Sequence, residues 1–449
     1  MGSNSRPRCI GILAHVGNQN LGDEALVAAV IQGIRRTYPD AIIRGFTTNP
    51  RDTSSRHGIV AFPLRRTESS NGSGGPPARG HGHEATWRGR YLDRLKAAAK
   101  RVGLVRRSLQ AFRKAGRTVS AVVREPAFLV AAQRNLRGVD LLVVAGSQQL
   151  NDAFGGPWGF PYTLWKWSLL ARVTGTKVAY LSVGAGPIDA PLSQRFVRQA
   201  LSLASYRSHR DALSSQLIEG IGVRGEGPVV PDLVYGLRIA APVANGSGRA
   251  VTPLVGANPV PLYDGRYWSI EDATRYSRYI ATFAAFCDQL VQSDHRIAFF
   301  PTQLQADPPV IEDIRRQMTA RDAARAGVTT VSGIRSLEDL VAEIAQMDLV
   351  VANRYHGILI SLLLQKPVLA LAYHGKTFEL MAMMGQAEYA VEASSCTTEL
   401  LAERFASLEA RAPEIRREVV DRAAALRQVL EGQYARVFAL VNGETRLAS

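Results

Sequence analysis

Apolar positions in this chain fall into short unbroken runs, separated by longer stretches in which they return at helical spacing. That is the pattern of strands buried on both faces alternating with amphipathic helices. Residues 9–15 predict a strand, 17–22 a turn-rich loop, 23–37 a helix with acids in its first turn, and 41–46 the next strand. Further on, 140–145, 177–183, 206–209 and 229–234 read as strands around helices at 161–174, 193–204 and 212–221. Residues 236–252 are weakly patterned and contain NGSG, which makes them the best linker. A second alternation then sets strands 254–258, 297–300 and 329–332 against helices 269–292, 309–321 and 337–345, and 399–441 is helix-rich. The expected class is α/β, with two Rossmann-like domains facing a cleft. The first covers 8–240 with a flexible, basic insertion at about 65–137, the second 250–400, and helices over 401–449 pack back across the boundary.

The most informative stretch runs from Ala352 to Lys376. Residues 349–351 end a buried strand, and Arg354, His356 and Gly357 fall at the turn into a helix at 358–365. A second apolar run, 367–373, predicts the next parallel strand and delivers Lys376 to the same sheet edge. Ligands of open α/β sheets sit outside the carboxyl ends of the strands, where a helix start adds N–H donors for a phosphate or carboxylate. Arg354, His356 and Lys376 are therefore expected to converge on one anion. A structural histidine beside a solvated lysine is the plainer alternative, but polar groups at two adjacent ends of an apolar sheet are costly as packing. Asn18, Asn20 and Asp23 lie where the first strand opens into a helix, so that loop can hold a phosphate or sugar hydroxyls. The same residue types also serve turns, and Asp23 can simply cap the helix. Arg210 follows a short strand, and its planar fork suits an oxyanion pair, while Asp211 is expected to hold Arg210 or cap its helix.

The 449 residues suffice for two domains, and an apolar share of 46% is ordinary for a globular protein. The net charge of +15 is local: residues 88–137 hold fourteen Lys or Arg against Asp93 and Glu125, giving +12 there and +3 elsewhere. Helical spacing of apolar residues within that segment fits a basic helix on an anionic membrane surface or a solvated outer face. Without interleaved aromatics or a recognisable motif, nucleic acid is not expected as a partner. Residues 68–84 read as a flexible Gly, Pro and Ser-rich loop in which His81 and His83 are incidental. Cys9, Cys287 and Cys396 have neither zinc spacing nor a disulfide framework, which suits a reducing cytoplasm. No apolar signal core or run of about 20 uncharged apolar residues is present, so the expected location is cytoplasmic.

Taken together, the motifs resemble those of the polysaccharide pyruvyl transferases. R-x-H-G with a lysine twenty residues after the histidine resembles that family's C-terminal signature. GNQNLGDEAL at 17–26 is similar to its G-N-x-G-D-E pattern with one extra residue, and SVGAGP at 182–187 and HRDALS at 209–214 follow in order. The likeness runs from about Cys9 to Tyr389 and departs where many members carry a Gly-Gly-Gly run, since here the strand leads into GSQQLND. The resemblance implies a glycosyltransferase-B-like architecture and transfer of pyruvate from phosphoenolpyruvate to a sugar, closing a cyclic ketal and releasing phosphate. It implies binding of the donor's carboxylate or phosphate by Arg210. The reaction also needs a group that shuttles protons near neutral pH, for which His356 is the expected general acid and can also act as base, while Arg354 and Lys376 with Arg210 are expected to neutralise the donor's charges and help phosphate leave. No metal and no cofactor beyond the donor substrate are expected. The implied acceptor is a saccharide, typically lipid-linked, met at the inner face of the membrane, where the basic segment would make a peripheral contact with anionic lipid. Two other readings stay open: a nucleotide-sugar glycosyltransferase, and a non-catalytic sugar-binding member of the same fold.

Overall fold

The computed structural model describes residues 7–66, 125–225, 227–239, 252–267, 271–319 and 327–442. The 68–84 loop, most of the basic segment and the heart of the 236–252 linker lie outside the described residues. The chain divides into a compact unit of residues 1–65 and 138–449 and a second unit of 66–137, which is helical over 125–136.

Among the described residues, twelve strands form two six-stranded parallel sheets within the first unit. In chain order the first sheet contains β1 (Cys9–Leu13), β2 (Ile42–Thr47), β3 (Val60–Pro63), β4 (Leu141–Ala145), β5 (Lys177–Val183) and β6 (Tyr206–His209). They lie side by side as β3-β2-β1-β4-β5-β6. The second sheet holds β7 (Leu254–Asn258), β8 (Arg296–Phe299), β9 (Val328–Thr330), β10 (Leu349–Ala352), β11 (Val368–Ala372) and β12 (Ala390–Glu392), ordered β12-β11-β10-β7-β8-β9. Each half thus has the doubly wound order that reverses direction beside its first strand and opens a crevice there. The central strands β1, β4, β10 and β11 are buried at every position. Helices on both faces require this, and it explains why these strands read as continuous apolar runs.

Among the described residues of the first unit, the helices are α1 (Leu21–Thr37), α2 (Pro50–His57), α3 (Phe160–Thr174), α4 (Pro191–Ser202), α5 (Ala212–Gly220), α6 (Ala273–Gln292), α7 (Asp307–Gln317), α8 (Leu337–Ala345), α9 (Tyr355–Leu363), α10 (Gly375–Met383), α11 (Thr398–Ala410) and α12 (Ala412–Asn442). Several starts differ from expectation because capping decides them. Asn20, not Asp23, is the N-cap of α1, accepting from the Gly22 amide, so the helix begins two residues earlier. The expected strand at 229–234 is a single bridge to His209, followed by a 3-10 turn at Leu233–Gly236 that Asp232 caps. The helix-rich end divides into α11 and α12.

α12, at 31 residues about 46 Å long, reaches both halves. Its second half packs Tyr434 on Gly33 of α1, Leu430 on Gly236 and Phe438 on Tyr38. Gln433 enters the first half, donating to Ser182 Oγ at 3.3 Å and accepting from the Tyr206 and Ser208 hydroxyls. A second junction lies at the cleft. The Leu21 amide donates to Thr302 at 2.9 Å and the Leu304 amide to Gln19 at 3.0 Å, so the β1–α1 and β8–α7 loops pair.

Candidate functional site

His356 lies in the first turn of α9, immediately beyond the buried strand β10, and leans across the cleft onto α1. A Cβ at Gly22 would stand 2.4 Å from its Nδ1, so only glycine admits the imidazole there. The other ring nitrogen, Nε2, is 3.7 Å from Asp232 Oδ2, and both atoms are buried without a hydrogen-bond partner among the described residues. Asp232 Oδ2 is also 3.6 Å from Nη1 of Arg210, which is held by Asp211 at 3.2 Å. Asp211 has both roles expected of it, since its other oxygen caps α5 through the Ser214 amide at 2.7 Å.

Tyr355 is the hub. The Arg210 guanidinium lies 5.1 Å and the Lys376 ammonium 5.7 Å from its ring centroid, and the His356 ring meets it edge-on at 5.2 Å. Lys376, near the start of α10, donates to Gln148 Oε1 at 3.4 Å. The structure thus brings Arg210, His356 and Lys376 around one buried aromatic ring, where two cations share the negative ring face. Gly184 permits this from the first half, because a Cβ there would lie 2.7 Å from Arg210 Nη2.

Two carboxyls in this site are pushed in opposite directions. Burial raises Asp23 to about 6, only partly offset by the nearby His356. Asp232 is buried too, but His356 and Arg210 more than offset that and hold it below the ordinary carboxylate range. Burial, reinforced by the charge of Arg210, lowers Lys376 to about 8. Arg210 is pulled down by burial, yet Tyr355, Asp232 and Asp211 leave it above its usual value. The site therefore holds a carboxyl that keeps its proton more tightly than usual and an ammonium that keeps its proton less tightly, beside a firm carboxylate and a firm guanidinium, a distribution characteristic of reaction sites.

The remaining candidates have other partners. Arg354 turns to Asp307, which is fully buried and also accepts from the Thr302 and Gln303 amides. It braces the loop that pairs with the β1–α1 loop. Asn20 caps α1 and donates to Asp23 at 2.9 Å. Asn18 is exposed beside His15, with its carbonyl accepting from Gln303 at 3.3 Å. Sequence reasoning missed Asp232, Tyr355, Gln148 and Asp307. A lone acid inside the apolar run VVPDLVYG was the available signal for Asp232. Among the described residues, no group of three or more His, Cys, Asp or Glu could hold a metal ion, and no helix is long and apolar enough to cross a membrane.

The sequence model of one family, described as polysaccharide pyruvyl transferase, matches residues 20–375, ending one residue before Lys376. A comparison with curated proteins returns no match. Solved structures share the architecture. UDP-GlcNAc 2-epimerase from Methanocaldococcus jannaschii is 10% identical, covering 89% of this chain and 92% of its own, with a TM-score of 0.53. A glycosyltransferase from Rickettsia africae is 8% identical, covering 97% and 99%, also at 0.53. UDP-GlcNAc 2-epimerase from Neisseria meningitidis is 11% identical, covering 94% and 99%, at 0.50. At these identities the likeness establishes the two-domain glycosyltransferase-B-like fold.

Proposed function

The chain belongs to the polysaccharide pyruvyl transferase family, and from that premise we propose that it transfers pyruvate from phosphoenolpyruvate to a sugar of a polysaccharide or its lipid-linked precursor. The observation that carries this reading is the gathering of Arg210, Lys376 and His356 around Tyr355. A donor with a phosphate and a carboxylate on one small carbon frame asks for two cations and a proton donor within a few ångströms of each other.

The proposed chemistry gives each of these groups a role. His356 delivers a proton to C3 of the enol, and the electron pair of the double bond forms the new C–H bond, leaving C2 cationic. A sugar hydroxyl adds to C2, and its proton returns to the imidazole. The imidazolium then passes that proton to the phosphate ester oxygen as the C2–O bond breaks, so that phosphate leaves as a dianion stabilised by Arg210 and Lys376, and C2 is again cationic. The neighbouring hydroxyl adds to C2, closing the cyclic ketal, and its proton goes to the imidazole, which restores His356 as the acid. Asp232 keeps His356 and Arg210 in register from beneath. Asp23, with its carboxyl near 6, is placed on the α1 side to accept or return a proton at neutral pH. Arg354 supports the site through Asp307 and the loop junction, and Asn18 and Asn20 line the loop where sugar hydroxyls would approach. The proposed setting is the cytoplasmic face of the membrane.

The test is phosphate release from phosphoenolpyruvate across a panel of oligosaccharides, with mass spectrometry of the sugars and His356→Ala as control. Acceptor-dependent phosphate together with a sugar heavier by one pyruvate ketal is expected, and His356→Ala should lower it by at least about a hundredfold. Nucleoside diphosphate released from a nucleotide sugar, with phosphoenolpyruvate inert, would overturn the donor assignment.

A further inference from the structure

The segment at 146–159, GSQQLNDAFGGPWG, departs from the family's Gly-Gly-Gly pattern and starts at the reaction site. Gln148 accepts from Lys376 and donates its own amide to the Ala185 carbonyl at 3.2 Å. From there the loop is pinned at short intervals. Leu150 forms a bridge with Ala185, the Asp152 amide donates to Pro187 at 3.1 Å, and Asp152 Oδ2 accepts from the Ala190 amide at 3.0 Å. The Gly156 amide closes back on Asp152 at 3.0 Å, and Gly159 is so tight that a Cβ would lie 2.0 Å from the Phe154 carbonyl oxygen.

This pinned loop presents two large aromatic side chains to solvent, Phe154 at 70% and Trp158 at 66% exposure. Trp158 is nonetheless fixed, its ring 5.4 Å from Tyr162 and 5.8 Å from Phe196. Scattered surface apolar residues are ordinary, but two aromatics within five positions of a rigid loop that begins at a reaction site are not. Keeping two large aromatic side chains in water forgoes the free energy of burying them. Flat aromatic faces beside amide and backbone polar groups are the chemistry that takes a pyranose ring, with C–H edges on the ring and hydroxyls to the polar groups. The segment holds no Lys or Arg and one acid, Asp152, whereas an anionic bilayer would ask for cations around its aromatics.

We infer that residues 146–159 form the acceptor lip, in which Phe154 and Trp158 stack a neutral saccharide and lead it along Gln148 to the donor. The inference rests on the function proposed above and names where its acceptor binds.

The test uses the full chain, its Trp158→Ala, Phe154→Ala and double variants, and a panel of neutral di- to tetrasaccharides built from galactose, glucose and mannose. Binding is read by saturation-transfer NMR and turnover by acceptor and donor KM values, with thermal melts confirming that the surface variants fold. Trp158→Ala should weaken saccharide binding roughly tenfold, and the double variant more, while phosphoenolpyruvate binding stays within about twofold. Unchanged saccharide affinity in the double variant, or a wild type that binds no sugar of the panel, would sink the lip. So would loss of binding to phosphatidylglycerol vesicles with sugar binding intact, since the aromatics would then be a membrane contact. Sugars that bind through Trp158 without any phosphate release would keep the lip and remove the donor assignment.

Discussion

A methyl group on Gly22 would sit 2.4 Å from Nδ1 of His356, which separates function from fold at a single residue. Alanine is the better helix former by about 1 kcal/mol, so Gly22→Ala should stay folded by circular dichroism. Displacing the imidazole should nevertheless reduce kcat by about a hundredfold or more. The titrations of the site supply a second prediction. Lys376 has a folded pKa, about 8, below its ordinary 10.5, so the fold holds that proton less tightly than the unfolded chain does. The resulting penalty is fully present below about pH 8 and is relieved as pH rises toward 10.5. Asp23 is raised from 3.8 to about 6, so its contribution to stability is greatest below 3.8 and is lost as pH passes 6. At neutral pH both groups therefore strain the empty site. Lys376→Met should raise the melting temperature at pH 7 yet abolish tight phosphoenolpyruvate binding. In the unchanged protein, kcat/KM should fall above about pH 8, approaching tenfold per unit, as the ammonium is lost. A flat profile to pH 10 would remove Lys376 from donor binding.

At the scale of elements, the starts of helices and the loops between them decide what each residue can do. Arg354 and His356 are two positions apart in sequence, but Arg354 precedes α9 and turns to Asp307, whereas His356 rides the first turn toward α1. Sequence spacing placed both on one anion, because a strand end does not reveal which way a long side chain turns. The buried Asp307 retains its amide donors, yet removing Arg354 strips it of its charged partner. Arg354→Ala should cost about 3 kcal/mol in urea unfolding, and the loosened β8–α7 loop should raise the phosphoenolpyruvate KM less than Lys376→Met does. An Arg354→Ala protein with normal stability and no donor binding would instead put this arginine on the substrate. Asp232 was hidden for a similar reason. Its apolar neighbours read as a strand, and only the 3-10 turn that it caps places its second oxygen between His356 and Arg210.

Across the whole molecule, α12 ties residues 412–442 to the strands that carry the first half of the site. Gln433 is buried at 2% exposure between Ser182, Tyr206 and Ser208, and Ser208 lies two residues before Arg210. Gln433→Leu takes the donor from the buried Ser182 hydroxyl and one acceptor from Ser208, which keeps its bonds to the Tyr180 carbonyl and the Ser182 amide, at a cost of about 1–3 kcal/mol. It should lower the melting temperature and raise the phosphoenolpyruvate KM together, whereas a stability loss with unchanged KM would confine α12 to a structural role. Sequence alone determined much here. The fully buried strands β1, β4, β10 and β11 could be read directly because a parallel sheet covered on both faces demands unbroken apolar runs. The R-x-H-G stretch and HRDALS marked His356, Lys376 and Arg210, because charges at the ends of such strands have few structural uses. What the tertiary structure decided is which of these groups meet. Asp232 follows the last strand of the first sheet and Tyr355 follows β10 of the second, the glycine that seats His356 lies in a third segment, and the partner of Arg354 lies in a fourth. Most of those contacts join the two halves across a cleft, that of Arg354 joins two segments 47 residues apart within one half, and no local pattern of hydrophobic and polar positions encodes a contact between distant segments.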